Sequence, residues 1–119
     1  MSLVYREIYQ VGKKIPKSDK LGIHTTLQNK ILLAFEYSVS AAFADVTSKK
    51  VYLEKFRTLI EVSKHLLRTE HELSIIPENT YIRIGKLLVE ASKMNTNWLK
   101  NTEERLAKLN IKQTKNSLF

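Results

Sequence analysis

The chain contains no cysteine. That excludes disulfide frameworks, thiolate zinc sites and cysteine nucleophiles, and fits a reducing compartment. Glycine and proline are scarce, at three and two residues, which argues against a turn-rich β fold and leaves room for long helices. Long apolar runs are missing too. Residues 31–44 form the most apolar stretch, with Glu36 as its only charge, and they fall short of the roughly 20 residues a membrane span needs. The residues from Met1 to Glu7 hold no apolar run of signal-peptide length, so the expectation is a cytoplasmic protein with no membrane partner. Negative charge is the last shortage. Twelve Asp and Glu face twenty Lys and Arg, leaving +8 on 119 residues, a balance that suits a polyanion, an anionic surface or an acidic partner.

What is present reads as helix. Apolar residues recur at helical spacing in four segments, separated where proline, glycine and capping residues cluster. The first runs from about Leu3 to Lys14 on Val4, Ile8, Val11 and Ile15, and Pro16 closes it. Ser18 or Asp19 is placed to cap a second, running to about Asp45 on Leu27, Ile31, Ala34, Ser38 and Ala41. Thr47 or Ser48 would cap a third, from about Lys49 to Glu72, with Tyr52, Phe56, Leu59, Ser63 and Leu66 as its seam beside Leu53, Ile60 and Leu67. Pro77 opens a fourth on Tyr81, Ile84, Leu88, Ala91 and Trp98. Beyond Trp98 the seam would need Thr102 and Arg105, so packing is expected to end near Lys100. The predicted domain is an all-α, antiparallel up-down-up-down four-helix bundle over residues 3–100. Residues 101–119 form a polar, basic extension, partly helical and then frayed.

The second helix is apolar around most of its circumference. Leu32, Phe35, Val39 and Phe43 lie off its seam, and one bundle face cannot cover them. A second copy of the chain can, so homo-oligomerisation is expected with these four residues at the interface. Glu36, isolated among them, predicts a buried carboxylate paired with an interhelical or intersubunit Arg or Lys.

Catalytic signatures are absent. Di-iron bundles need Glu-x-x-His pairs, whereas Glu61 and His65 stand four apart, and Glu70-His71-Glu72 splays its side chains around a helix end. His24 reads as a surface or interface histidine. No serine sits in a Gly-x-Ser-x-Gly elbow, and no glycine-rich loop cradles phosphate. The reading is a non-enzyme without cofactor, metal or small-molecule substrate. The basic residues carry what signal remains. Lys13, Lys14, Lys17 and Lys20 crowd the first connection, Lys49 and Lys50 open the third helix, and Lys64 and Arg68 share a face one turn apart. Multiplied in a symmetric assembly, such patches would bind nucleic acid through counterion release, with little sequence preference.

Tyr5, Ile15-Pro16-Lys17, Tyr52-Leu53, Leu59-Ile60, Lys64, Arg68, Ile84-Gly85, Glu90, Lys93-Met94 and Trp98-Leu99-Lys100 together resemble the accessory variability determinant family. These are four-helix-bundle accessory proteins of diversity-generating retroelements, and the resemblance spans residues 4–100. The family is similar to the bundle proteins encoded by intervening sequences in ribosomal-RNA genes. The resemblance implies a basic, ring-like homopentamer that binds RNA or DNA and the retroelement's reverse transcriptase, supporting mutagenic retrohoming. Of the basic positions, it carries over to Lys64 and Arg68. Lysine dominates over arginine here, and this keeps the ribosomal-RNA-gene branch open, with a structural or protein-interaction role and no specific nucleic-acid binding.

Overall fold

The computed structural model describes residues 1–117, with side chains through residue 114. Among the described residues there are four long helices and no strand: α1 (Ser2–Gly12), α2 (Thr25–Phe43), α3 (Val46–Glu72) and α4 (Glu78–Ser117). Contacts between them fix their directions. Tyr37 packs on Tyr52 and His24 pairs with Glu70, so partner numbers rise along α3 as they fall along α2. In the same sense His71 stacks on Tyr81 while Lys50 reaches Glu103, and Glu7 of α1 meets Arg83 of α4. Consecutive helices are therefore antiparallel, and α1 lies between α2 and α4. The result is a four-helix bundle, as short connections between amphipathic helices require.

The core follows the 3.6-residue period. Ile8, Leu27, Ile31, Ile60, Leu67, Ile84 and Leu88 close one cluster around α1. Ala41, Leu53 and Leu99 form a second further along, where no residue of α1 contributes. Ser63 keeps its place on the α3 seam by donating to the Leu59 carbonyl at 2.7 Å, which satisfies its hydroxyl inside the helix.

Several boundaries differ from expectation for local reasons. Neither Ser18 nor Asp19 caps a helix with its side chain. Pro16 instead starts a single turn, Lys17–Asp19, and a π-helical turn, Lys20–His24, follows before α2 begins. The chain breaks at Gly22, whose ψ of −114° is a value that a residue with a Cβ avoids. The second helix also stops earlier, at Phe43, because Ala44 turns extended. The cap of α3 is Asp45, not Thr47 or Ser48: its backbone is extended and its carboxylate accepts from the Ser48 N–H at 2.8 Å. Asp45→Ala is expected to cost about 1 kcal/mol in urea denaturation, and Asp45→Asn to cost little.

Packing also runs further along α4 than expected. Leu99 and Thr102 are both buried. Thr102 can occupy the seam because its hydroxyl donates to the Trp98 carbonyl at 2.9 Å. Helix continues through residues 113–117, where fraying was expected, and residues 118–119 lie outside the described residues. Forty residues of α4 span about 60 Å, which accounts for a molecule 67 × 21 × 19 Å. Among the described side chains Leu106 is the last that is partly covered, and Ala107–Thr114 are exposed.

Candidate nucleic-acid interface

The eight predicted cationic residues occupy three separate places. Lys13, Lys14, Lys17 and Lys20 surround the connection from α1 to α2, and all four are exposed. Backbone geometry gathers them. The N–H of Lys14 closes on the Val11 carbonyl at 2.9 Å and that of Lys20 on the Pro16 carbonyl at 2.9 Å, folding the connection tightly beside the carbonyl end of α1. Cations are favoured there by the helix dipole. Lys13 lies 5.1 Å over the Tyr9 ring, and among the described residues none of the four forms an ion pair.

The other four are engaged. Lys49 lies 5.6 Å from the Trp98 ring, and Lys50 reaches Glu103 at 3.9 Å. Lys64 pairs with Glu61 at 2.9 Å, and Arg68 pairs with Glu72 at 3.0 Å. Lys50 therefore turns to α4 rather than to Glu54, one turn further along α3. Lys50 and Lys64 are about 21 Å apart along α3, so the structure does not bring the eight into one patch.

The proposed interface residues share the outer side of α2. Leu32 is 50% exposed, Val39 44% and Phe43 88%, with Phe35 half-buried. Clefts flank them on both sides. One of about 260 Å³ joins Leu32 and Phe35 to Tyr5 of α1, and one of about 380 Å³ joins Val39 and Phe43 to Met94 and Trp98 of α4. Asn95 lines the second cleft, buried, with both amide atoms lacking partners. Glu36, expected to be buried, stands exposed within the apolar face, because that face points away from the bundle.

The buried carboxylate is Glu70, and its partner is His24, which is no surface histidine. Each side chain is 1% exposed. His24 Nδ1 lies 2.8 Å from Glu70 Oε1 and Nε2 lies 2.8 Å from the Ile8 carbonyl. Both ring nitrogens thus face acceptors, and only the imidazolium satisfies both. Burial lowers the pKa of His24, and nearby Lys20 lowers it further. The hydrogen bond and charge of Glu70, with the Ile8 carbonyl, outweigh them and leave it raised above 6.5. With both nitrogens donating, the ring has no lone pair with which to take a proton, so the pair is a clamp joining α1, α2 and α3. Gly12 makes room for it: a Cβ there would come within 3.0 Å of the imidazole. Sequence reasoning missed the clamp, since two polar residues 46 apart give no periodic signal. The available clue was that both fall on the apolar stripes of their helices.

No protein-family model, curated protein or solved structure matches this chain. Among the described residues, no three His, Asp or Glu side chains come together to hold a metal ion, and no helix is long and apolar enough to cross a membrane.

Proposed function

We propose that the chain is a non-enzymatic accessory protein of a diversity-generating retroelement: a basic cytoplasmic homo-oligomer, pentameric by the family resemblance, that holds RNA or DNA together with the reverse transcriptase. The observation that carries this reading is the unpaired lysine quartet at residues 13, 14, 17 and 20, exposed on a chain of net charge +8. Five copies would bring about 40 positive charges to one particle. Self-association is supported by the exposed apolar side of α2, which a single chain leaves uncovered.

Light scattering should find a stable multiple of the 13.8 kDa chain, and anisotropy titration should find single-stranded RNA bound with an affinity that falls steeply between about 50 and 200 mM salt. A monomer that ignores RNA would sink the proposal.

A second reading has its own support. Lys50, Lys64 and Arg68 are engaged by glutamates of the same chain, which suits a bundle of the ribosomal-RNA intervening-sequence type. Its role would be structural or protein-binding, with charge serving solubility. That reading expects oligomers without RNA affinity.

A further inference from the structure

A cleft of about 480 Å³ runs between α3 and α4 on the outside of the bundle. Its α4 wall presents Ile82 and Val89, two turns apart and nearly half exposed, with Lys86 between them and Lys93 beyond. Gly85 lies at its centre, deep inside a helix of forty residues, where glycine is destabilising relative to alanine. Nothing among the described residues requires it, since a Cβ at Gly85 would meet none of their atoms within 4 Å. A missing side chain there leaves room for a second helix to approach this surface closely.

The chain carries a face that matches. Along α2, Leu32, Glu36, Val39 and Phe43 advance by steps of four, three and four, as do Ile82, Lys86, Val89 and Lys93 along α4. Laid side by side in parallel, the two rows bring Leu32 to Ile82, Glu36 to Lys86, Val39 to Val89 and the Phe43 ring to Lys93, a cation–π pairing. Neither Glu36 nor Lys86 nor Lys93 has an ion-pair partner among the described residues, so each row holds the charge the other lacks. Nucleic acid fits the cleft less well. Leu67, Ile82 and Val89 line the cleft beside the lysines, Glu90 stands among those lysines, Lys64 is paired with Glu61, and the Tyr81 ring that could stack on a base is already stacked on His71 at 4.5 Å.

We infer that the α3/α4 cleft of one chain receives the α2 face of a second copy, with Glu36 pairing to Lys86 and Lys93 across the contact and Gly85 admitting the incoming helix. The contact is heterologous: each copy offers one face and one cleft, so assembly proceeds around a ring or along a stack. The inference rests on the self-association proposed above and specifies its surfaces.

Charge exchange tests it. Glu36→Lys alone and Lys86→Glu/Lys93→Glu together should each reduce the wild-type assembly to single chains in light scattering, with helical circular dichroism retained because all three side chains are exposed. Mixing the two variants should restore particles of at least two chains. The basic face of the Glu36→Lys chain then meets the acidic cleft of the double variant, and the double variant's Glu36 meets the unaltered cleft of the other. Gly85→Leu should also dissociate the assembly while leaving helical circular dichroism unchanged, since a side chain at residue 85 meets no atom of the described residues within 4 Å at its Cβ. Variants that keep the wild-type mass, or a mixture that stays monomeric, would overturn the pairing while leaving self-association standing. Loss of the wild-type assembly on nuclease treatment would put nucleic acid between the chains and overturn it as well. A monomeric wild type would remove both this inference and the reading beneath it.

Discussion

Replacing Glu70 by alanine should destabilise the bundle by about 3–5 kcal/mol, because it strands an imidazolium in a site that is 1% exposed. The bundle's whole stability is expected to lie near about 5–15 kcal/mol, so this single change removes a large part of it. Glu70→Gln keeps the shape and a hydrogen-bond acceptor but not the charge, and should cost less. The clamp also makes stability depend on pH in a definite direction. The pKa of His24 is raised by folding, so the folded chain holds its proton to higher pH than the unfolded chain does. Its contribution is complete below the unfolded value near 6.5 and is lost as pH rises through the raised folded value. Urea midpoints should therefore fall above pH 6.5 in the wild type, and that fall should flatten in Glu70→Gln. A midpoint that stays level across this range in the wild type would show that His24 is not held as the imidazolium.

Changing Lys13, Lys14, Lys17 and Lys20 together to glutamate should abolish RNA binding while leaving the fold intact, since all four are exposed and none forms an ion pair among the described residues. The magnitude can be set in advance. Four phosphate contacts on single-stranded RNA give a salt slope of about −2.8, or about a 50-fold loss of affinity between roughly 50 and 200 mM salt. In the quadruple variant that slope should collapse towards zero. Reversing Lys64 and Arg68 makes the contrast: both already pair within the chain, so their effect should be smaller than that of the quartet. A quartet variant that binds RNA as the wild type does would move the interface elsewhere or favour the second reading.

The helices were legible because each buries a stripe at 3.6-residue spacing, and Leu27, Ile31, Ile60 and Ile84 fall where their stripes placed them. Of the polar residues on those stripes, Ser63 was read on its seam and is buried, but the others were not legible. His24, Glu70, Asn95 and Thr102 look like interruptions in a sequence, and by spacing alone Thr102 reads as the end of packing. Their burial depends on partners in space: a histidine facing a glutamate on another helix, or a hydroxyl folded back onto its own carbonyl. Glu36 failed in the opposite sense. An apolar neighbourhood suggested burial, yet all-round apolarity in α2 means that half of it faces outward, and Glu36 sits on that half. The lysine quartet was readable from local spacing. The cleft around Gly85 was not, because it is assembled from residues of α3 and α4 that lie far apart in sequence.

The three longer helices follow one another through short connections and can zip together from neighbours in sequence, a topology that folds quickly. Helix α1 stands apart, since its contact with α4 through Glu7 and Arg83 closes most of the bundle into a loop. Loop entropy alone delays such closure only modestly, about 0.6 kcal/mol for each doubling of length. But α1 has eleven residues, too few to be helical by itself in water, so it must fold as it docks. Tyr5 of that helix borders the cleft beside Leu32 and Phe35. Seating α1 therefore completes the surface beside Leu32 and Phe35, and a subunit with α1 docked offers that surface finished to its neighbour.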